Sequence, residues 1–259
     1  MIRSQRLVQT VRVSDRLSVG VLKVLRDNYA YVVIGGGGRH RAVVDPGDRI
    51  DLQPAPTAIW LTHHHDDHVG GVVDLGPDIP VWAAFAGRHV PFHVEHSVRA
   101  GQTFAFGSDE VRVIDVSGHT MDHVAYYVPG AVFCGDALFS MGCGRVFEGR
   151  PADSMAALQR LASLPEDTLV FCGHEYTDRN AEFAMTVNPT NEALAERISQ
   201  VRDLRRKGLP TIPTTIAMEK ATNPFLRTWD NEIRTSLKLG SEASDLAVFT
   251  ALRKRRNWF

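Results

Sequence analysis

The chain has 259 residues, and its 29 Lys and Arg against 30 Asp and Glu leave a formal charge of −1. That balance gives no general pull toward nucleic acid or an anionic membrane, and the length suits one large domain or a domain with an appendage. No apolar stretch approaches membrane-span length, the start Met1-Ile2-Arg3-Ser4-Gln5-Arg6 lacks the apolar core of a secretory signal, and the three cysteines, Cys134, Cys143 and Cys172, are odd in number, which argues against a disulfide framework and fits a reducing cytoplasm.

Short β-rich runs bounded by Gly, Pro and Asp are predicted at 19–25, 30–34, 41–44, 58–61, 80–83, 103–106, 111–116, 124–128, 132–134 and 169–172. Gly35-Gly36-Gly37-Gly38 separates two of them and reads as a hairpin turn, since no helix signal follows to make a phosphate cradle. Helical patterns follow His68 and cover 154–164. After Tyr176 the chain is almost strand-free, and 181–187, 191–207, 231–239 and 244–256 read as helices separated by Asn188-Pro189 and by the segment 208–213. There is no internal repeat and no low-complexity tract. The organisation divides at about residue 176, into a β-rich segment 1–176 and a helical segment 177–259.

Thr62-His63-His64-His65-Asp66-Asp67-His68 places four imidazoles and two carboxylates directly after the apolar run Ala58-Ile59-Trp60-Leu61. Neither a solvated surface nor a packed core calls for that mixture, whereas neutral imidazole and carboxylate are the usual ligands of zinc and similar divalent ions. In an extended segment alternate residues face the same way, so His63 and His65 can clamp one ion. Where the chain turns into a helix, Asp67 and His68 are directed elsewhere, toward a second. One loop cannot complete two coordination shells, and further donors do follow strand-like runs downstream: His119 after Gly118, Asp136 after Gly135 and His174 after Gly173.

These residues carry a resemblance. The H-x-H-x-D-H string with its three later partners resembles the metallo-β-lactamase superfamily. The runs Gly135-Asp136-Ala137-Leu138-Phe139, Gly142-Cys143-Gly144-Arg145 and Cys172-Gly173-His174-Glu175-Tyr176-Thr177 resemble its glyoxalase II branch, the hydroxyacylglutathione hydrolases. The likeness runs from Asp27-Asn28-Tyr29 through Val44-Asp45-Pro46-Gly47 to Thr222-Asn223-Pro224-Phe225 and the basic C-terminus. It implies an α+β fold, an αββα sandwich with ligand loops along one edge and a C-terminal α-helical domain that walls the substrate cleft. It also implies one metal held by His63, His65 and His119, a second by Asp67, His68 and His174, and Asp136 bridging both. Zinc is the expected metal, with iron or manganese as alternatives.

The implied reaction is hydrolysis of S-D-lactoylglutathione, or another S-(2-hydroxyacyl)glutathione, by hydroxide held between two metals, giving glutathione and a 2-hydroxy acid in the second step of methylglyoxal detoxification. Asp136 and Asp67 are its expected catalytic carboxylates. Arg145, Arg253 and Arg256 match the family's basic glutathione contacts, Tyr176 its tyrosine after the last histidine. Two departures stand out: Arg145 replaces the usual Lys, and Phe147 replaces a common Tyr. The expected partner is a small-molecule glutathione thioester, with neither nucleic acid nor membrane, in a cytoplasmic monomer. Basic residues in a last helical turn also complement the helix dipole without any ligand, which is the competing account of Arg253 and Arg256.

Other chemistries remain open at this point: a one-iron persulfide dioxygenase, a lactonase or β-lactamase, and a non-catalytic metal-binding protein. The last of these would be expected to have lost a ligand. His64, Asp66, Asp122 and His123 match no ligand position and are expected to support ligands or face solvent; His40, His89, His93 and His96 are expected at the surface. Cys143 has no base placed by sequence to activate it, so it is expected to be a small packing residue and not a nucleophile.

Overall fold

β-Branched and aromatic residues dominate the first part of the chain and form seven strands: β1 (Leu7–Arg12), β2 (Ser18–Val24), β3 (Asn28–Gly35), β4 (His40–Val44), β5 (Ala58–Trp60), β6 (Val81–Ala83) and β7 (His96–Ser97). They make one sheet in the order β1-β2-β3-β4-β5-β6-β7, antiparallel up to β4 and parallel from β4 onward. The structure is a computed structural model that describes residues 6–85, 88 and 90–259, so His89 lies outside the described residues. Two units emerge from the backbone contacts, Met1–Asp115 with Asp122–Gly135, and Val116–Met121 with Asp136–Phe259.

In the first unit, the β3–β4 hairpin turns through Gly36, Gly37 and Gly38, all at positive φ, which glycine alone adopts without cost. Parallel strands need crossovers, and the one from β5 to β6 carries two single-turn helices, α1 (Asp66–Val69) and α2 (Val72–Leu75). Parallel register aligns Val44 with Trp60, so the segments leaving β4 and β5 emerge side by side. β8 (Thr103–Phe106), β9 (Asp109–Asp115), β10 (Val124–Val128) and β11 (Ala131–Gly135) run antiparallel in that order. Trp60, fully buried, packs its ring against Phe104, Phe106, Tyr126 and Phe133 from these strands, forming the aromatic centre of the core. The Tyr126 hydroxyl lies 3.0 Å from the Leu61 carbonyl and 2.9 Å from that of Trp82, which fixes the end of β5 just before the histidine string.

The second unit contains a tight hairpin, β12 (Leu138–Phe139) and β13 (Gly142–Cys143), then α3 (Pro151–Ala162), and β14 (Leu169–Cys172) paired with β15 (Thr214–Thr215). The helices α4 (Thr177–Val187), α5 (Glu192–Arg206), α6 (Ile216–Thr222), α7 (Asn231–Ser236) and α8 (Asp245–Asn257) complete it. Asn191, Thr215, Asp230 and Ser244 cap four of them with side-chain acceptors. Among the described residues no helix is long and apolar enough to cross a membrane.

Several elements differ from their sequence expectation. β1 was not anticipated, because LVQTVR mixes polar and apolar residues along a strand whose exposure merely alternates. α6 was hidden between Pro213 and Pro224, although Thr215 supplies its cap. The helix expected after His68 begins before it, at Asp66, and lasts one turn. α3 begins at Pro151, three residues early, since proline suits a first helical position and Arg150 and Asp153 form a reciprocal cap.

Candidate metal centre

In the first unit the donors are held from behind by Asp45, which follows β4. Asp45 takes a left-handed backbone conformation (φ 48°), uncommon for a residue other than glycine and held here by three contacts. Its carboxylate accepts from the Thr62 amide at 2.8 Å and from the Thr62 hydroxyl at 2.6 Å, and His68 Nδ1 lies 3.0 Å from the same group. Because the Thr62 proton goes to Asp45, the Thr62 oxygen must accept from His63 Nδ1, 3.0 Å away. Both rings therefore carry their proton on Nδ1 and leave Nε2 with a lone pair. His63 Nε2 and His65 Nδ1 converge to 3.1 Å, as the alternation of an extended segment requires.

Asn28 positions Asp67, donating to its carboxylate at 2.9 Å and to its carbonyl at 3.1 Å, and His68 Nε2 stands 3.7 Å from that carboxylate. Gly47 makes this packing possible, since a Cβ there would sit 1.8 Å from the Asp67 carbonyl oxygen. Asp45, His63 and His68 also bring one potential ligand atom each within 4.8 Å. We read Asp45 as the orienting carboxylate of that trio because its oxygens are already committed to Thr62 and His68.

In the second unit His119, Asp136 and His174 come together. Asp136 Oδ2 lies 3.5 Å from His119 Nε2 and 3.4 Å from His174 Nε2, so one carboxylate oxygen faces two imidazole nitrogens. His119 Nδ1 donates to the Arg145 carbonyl at 2.9 Å, which again directs Nε2 toward Asp136. Gly144 permits this closeness: a Cβ there would lie 1.9 Å from the Asp136 carbonyl oxygen and 3.2 Å from His119 Nδ1. The His174 ring lies between Tyr176, stacked on its face, and Phe139, which meets it edge-on.

The hairpin β12–β13 spans the interval from Asp136 to Arg145 and is held by side chains from the C-terminal helices. Asn180 donates to the Ser140 carbonyl and Asn223 to those of Phe139 and Gly142. Buried Glu219 accepts from the Met141 amide, the Thr214 hydroxyl and Asn223; burial pushes its carboxyl pKa up. Arg253, only 6% exposed, donates to the carbonyls of Cys143 and Gly144. Arg145 is exposed, as is Phe147, whose ring meets His119 edge-on. Arg256 is half-buried and bonded to Asn180; burial lowers its pKa, and the charges of Arg253, Arg179 and Arg145 lower it further, which identifies a shared electropositive patch.

The remaining histidines separate as expected. His64 pairs with Asp122, which also binds Arg88, and Asp66 is exposed. His123 is fully buried against the His63 ring and does not face solvent. His40, His93 and His96 are exposed, the last stacked on Trp82. All three cysteines are free and buried, and burial raises the Cys143 thiol pKa, the opposite of nucleophile activation. A groove of about 650 Å³ lined by Val72, Ile79, Phe92, His93 and Glu95 contains none of the donors and does not define the site. Sequence reasoning missed Asn28, Asp45, Asn180, Glu219 and Asn223 as positioning groups. Only Asp45, a carboxylate following an apolar run and preceding Pro-Gly, offered a local signal.

The donor set suits divalent metal: imidazoles fixed by their far nitrogen to an oxygen partner, beside carboxylates and without thiolate. Residues 25–174 match the family model described as Metallo-beta-lactamase superfamily, and residues 175–259 match Hydroxyacylglutathione hydrolase C-terminus. A hydroxyacylglutathione hydrolase of Methylococcus capsulatus is 41% identical over 254 residues, covering 94% of this chain and 99% of the relative. Among solved structures, TTHA1623 in a di-iron-bound form is 29% identical, with a TM-score of 0.52, over 80% of this chain and 98% of that one. ETHE1 from Myxococcus xanthus, 23% identical with a TM-score of 0.57 over 90% and 98%, shares the fold. Fold and donors thus define an α+β metallo-β-lactamase superfamily protein with a C-terminal helical region. Within that superfamily the chain belongs to the hydroxyacylglutathione hydrolases, the glyoxalase II family.

Proposed function

We propose that the chain hydrolyses S-(2-hydroxyacyl)glutathione thioesters, S-D-lactoylglutathione foremost, to glutathione and a 2-hydroxy acid, D-lactate in that case. The observation that carries this reading is that likeness to hydroxyacylglutathione hydrolases extends through the C-terminal helices, where the basic residues expected to meet glutathione lie. Residues 1–176 are the proposed catalytic segment and 177–259 the substrate-binding one, in a cytoplasmic monomer.

His63, His65 and His119 would hold one divalent ion, Asp67, His68 and His174 a second, and Asp136 both. Zinc is proposed first, with iron or manganese as alternatives; the similar protein with two irons supports a two-metal reading. When bound, such ions supply Lewis-acid polarisation of the thioester carbonyl and lower the pKa of coordinated water. The protein's own part is preorganisation. Asp45 with Thr62, and the Arg145 carbonyl, hold the imidazoles in one tautomer, so their lone pairs need no rearrangement. Arg145 and Arg256 offer guanidinium forks for the two carboxylates of the tripeptide, Arg253 keeps Nη2 clear of hydrogen bonds among the described residues, and Tyr176, stacked on the last histidine, offers its hydroxyl to the substrate. Phe147 offers an apolar edge where its relatives often have a hydroxyl. The leaving thiolate has a conjugate acid of pKa about 8.5, so no strong general acid is required.

One assay tests the reading: cleavage of S-D-lactoylglutathione beside a lactone, a β-lactam and glutathione persulfide, with metal analysis of the same sample. Preference for the glutathione thioester is expected. Faster turnover of any of the other three would replace the assignment.

A further inference from the structure

Arg253 stands on α8, far along the chain from the donors, yet its guanidinium is built into the segment that carries one of their hydrogen-bond partners. Nη1 donates to the Cys143 carbonyl at 2.6 Å and to the Gly144 carbonyl at 3.3 Å, and lies 3.6 Å from the Cys143 sulfur. Nε is held by Asn257 Oδ1 at 3.2 Å, and the group packs over the Phe225 ring. The next residue after Gly144 is Arg145, whose carbonyl receives His119 Nδ1. Gly144 itself lies against the Asp136 carbonyl oxygen too closely to accept a methyl group, and one there would also press on His119 Nδ1 at 3.2 Å, so this peptide is packed against both residues.

We propose that Arg253 is a positioning residue for His119: by holding the Cys143 and Gly144 carbonyls it fixes the Arg145 carbonyl that selects the His119 tautomer and aims Nε2 at the metal. This rests on His119 being a metal ligand. A role confined to the helix-end dipole would call for an exposed Arg253 with no tie to the 143–145 turn, whereas the residue is buried and bonded to it, and a purely substrate-contacting arginine needs no such fork on backbone carbonyls. The geometry links the C-terminal helix to metal affinity as well as to substrate affinity. The contact requires both directions of a planar fork, since Nε and Nη1 are committed to different partners.

The test measures zinc affinity by chelator competition on metal-stripped protein refilled with zinc, for wild type, Arg253→Met, Arg253→Lys and, as a control on the same helix, exposed Lys254→Ala. Both Arg253 variants are expected to bind zinc at least about tenfold more weakly, as loss of a group orienting a ligand does, with kcat for a small neutral thioester falling in parallel. Lys254→Ala is expected to match wild type. If Arg253→Met does not fold, Arg253→Lys, which keeps the charge on a single donor nitrogen, carries the comparison. A folded Arg253 variant with wild-type zinc affinity overturns the proposal, whether only the KM for the glutathione thioester rises or only Tm falls. The zinc measurement uses no substrate, so an enzyme inactive toward S-D-lactoylglutathione would overturn the proposed reaction and leave this result standing.

Discussion

The imidazole of His174 and the phenol of Tyr176 lie nearly parallel, 4.6 Å between centroids and 6° between planes. The two residues follow β14 with one residue between them, so the alternation of an extended chain places both rings on one side. Stacking is worth about 0.5–1.5 kcal/mol beyond burial, enough to favour one ring orientation of His174. Tyr176→Phe keeps the stack and loses only the hydroxyl, so metal content is expected to hold while KM for the glutathione thioester rises by up to about tenfold, the equivalent of one neutral hydrogen bond. Tyr176→Ala is expected to weaken metal binding as well. Chelator competition decides: wild-type metal affinity in the alanine variant would mean the stack does not orient His174.

Asp136 faces His119 and His174 with one oxygen, whereas His64 is occupied with Asp122. Replete protein is therefore expected to hold close to two ions per chain, and chelation to abolish activity. Asp136→Ala should lower occupancy of both ions and cost far more activity than His64→Ala. Metal analysis that saturates at one iron, with oxygen uptake, would move the chemistry to a dioxygenase, and equal activity of the two variants would remove Asp136 from its bridging role.

Among the described residues Arg256, unlike Arg253, makes one side-chain hydrogen bond, at 3.2 Å to Asn180. Its proposed partner is a substrate carboxylate. Losing charge-assisted hydrogen bonds of about 1.5–3 kcal/mol should raise KM for S-D-lactoylglutathione at least tenfold in Arg256→Ala. A small neutral thioester never uses that contact, and its kinetics should be unaltered. An unchanged KM for both substrates would return Arg256 to the helix-dipole account.

Burial pushes the Cys143 thiol pKa above its ordinary 9.0, more than the nearby Arg253 charge lowers it. The folded state then retains a proton that the unfolded chain releases, so this contribution to stability is present below pH 9 and declines as pH rises above it. Denaturant midpoints at pH 8 and pH 10 should differ less in Cys143→Ala than in wild type. In the native protein none of the three buried thiols should react readily with an aromatic disulfide reagent at pH 8, and all three should do so in denaturant. Rapid native reaction at Cys143 would contradict both its burial and its packing role.

The donor string was legible because its information is local. His63 and His65 alternate, Asp67 and His68 sit where the chain becomes helical, and His119, Asp136 and His174 each follow a strand-like run and a glycine. Most of the longer strands were legible from β-branched runs, β1 and the two-residue strands β7, β12, β13 and β15 were not, and four helix starts carry a capping side chain that sequence can show. What the sequence could not show are the groups that hold those donors in one tautomer and one place. Asp45 reaches Thr62 across 17 residues, Asn28 reaches Asp67 across 39, Asn223 reaches Gly142 across 81, and Arg253 reaches Cys143 across 110. A hydrogen bond between such distant residues leaves no periodicity and no neighbouring motif, since it depends on which strand edges and helix faces come together on folding. Residue chemistry thus determined what the site can bind, and only the tertiary structure decided which oxygen each imidazole points away from.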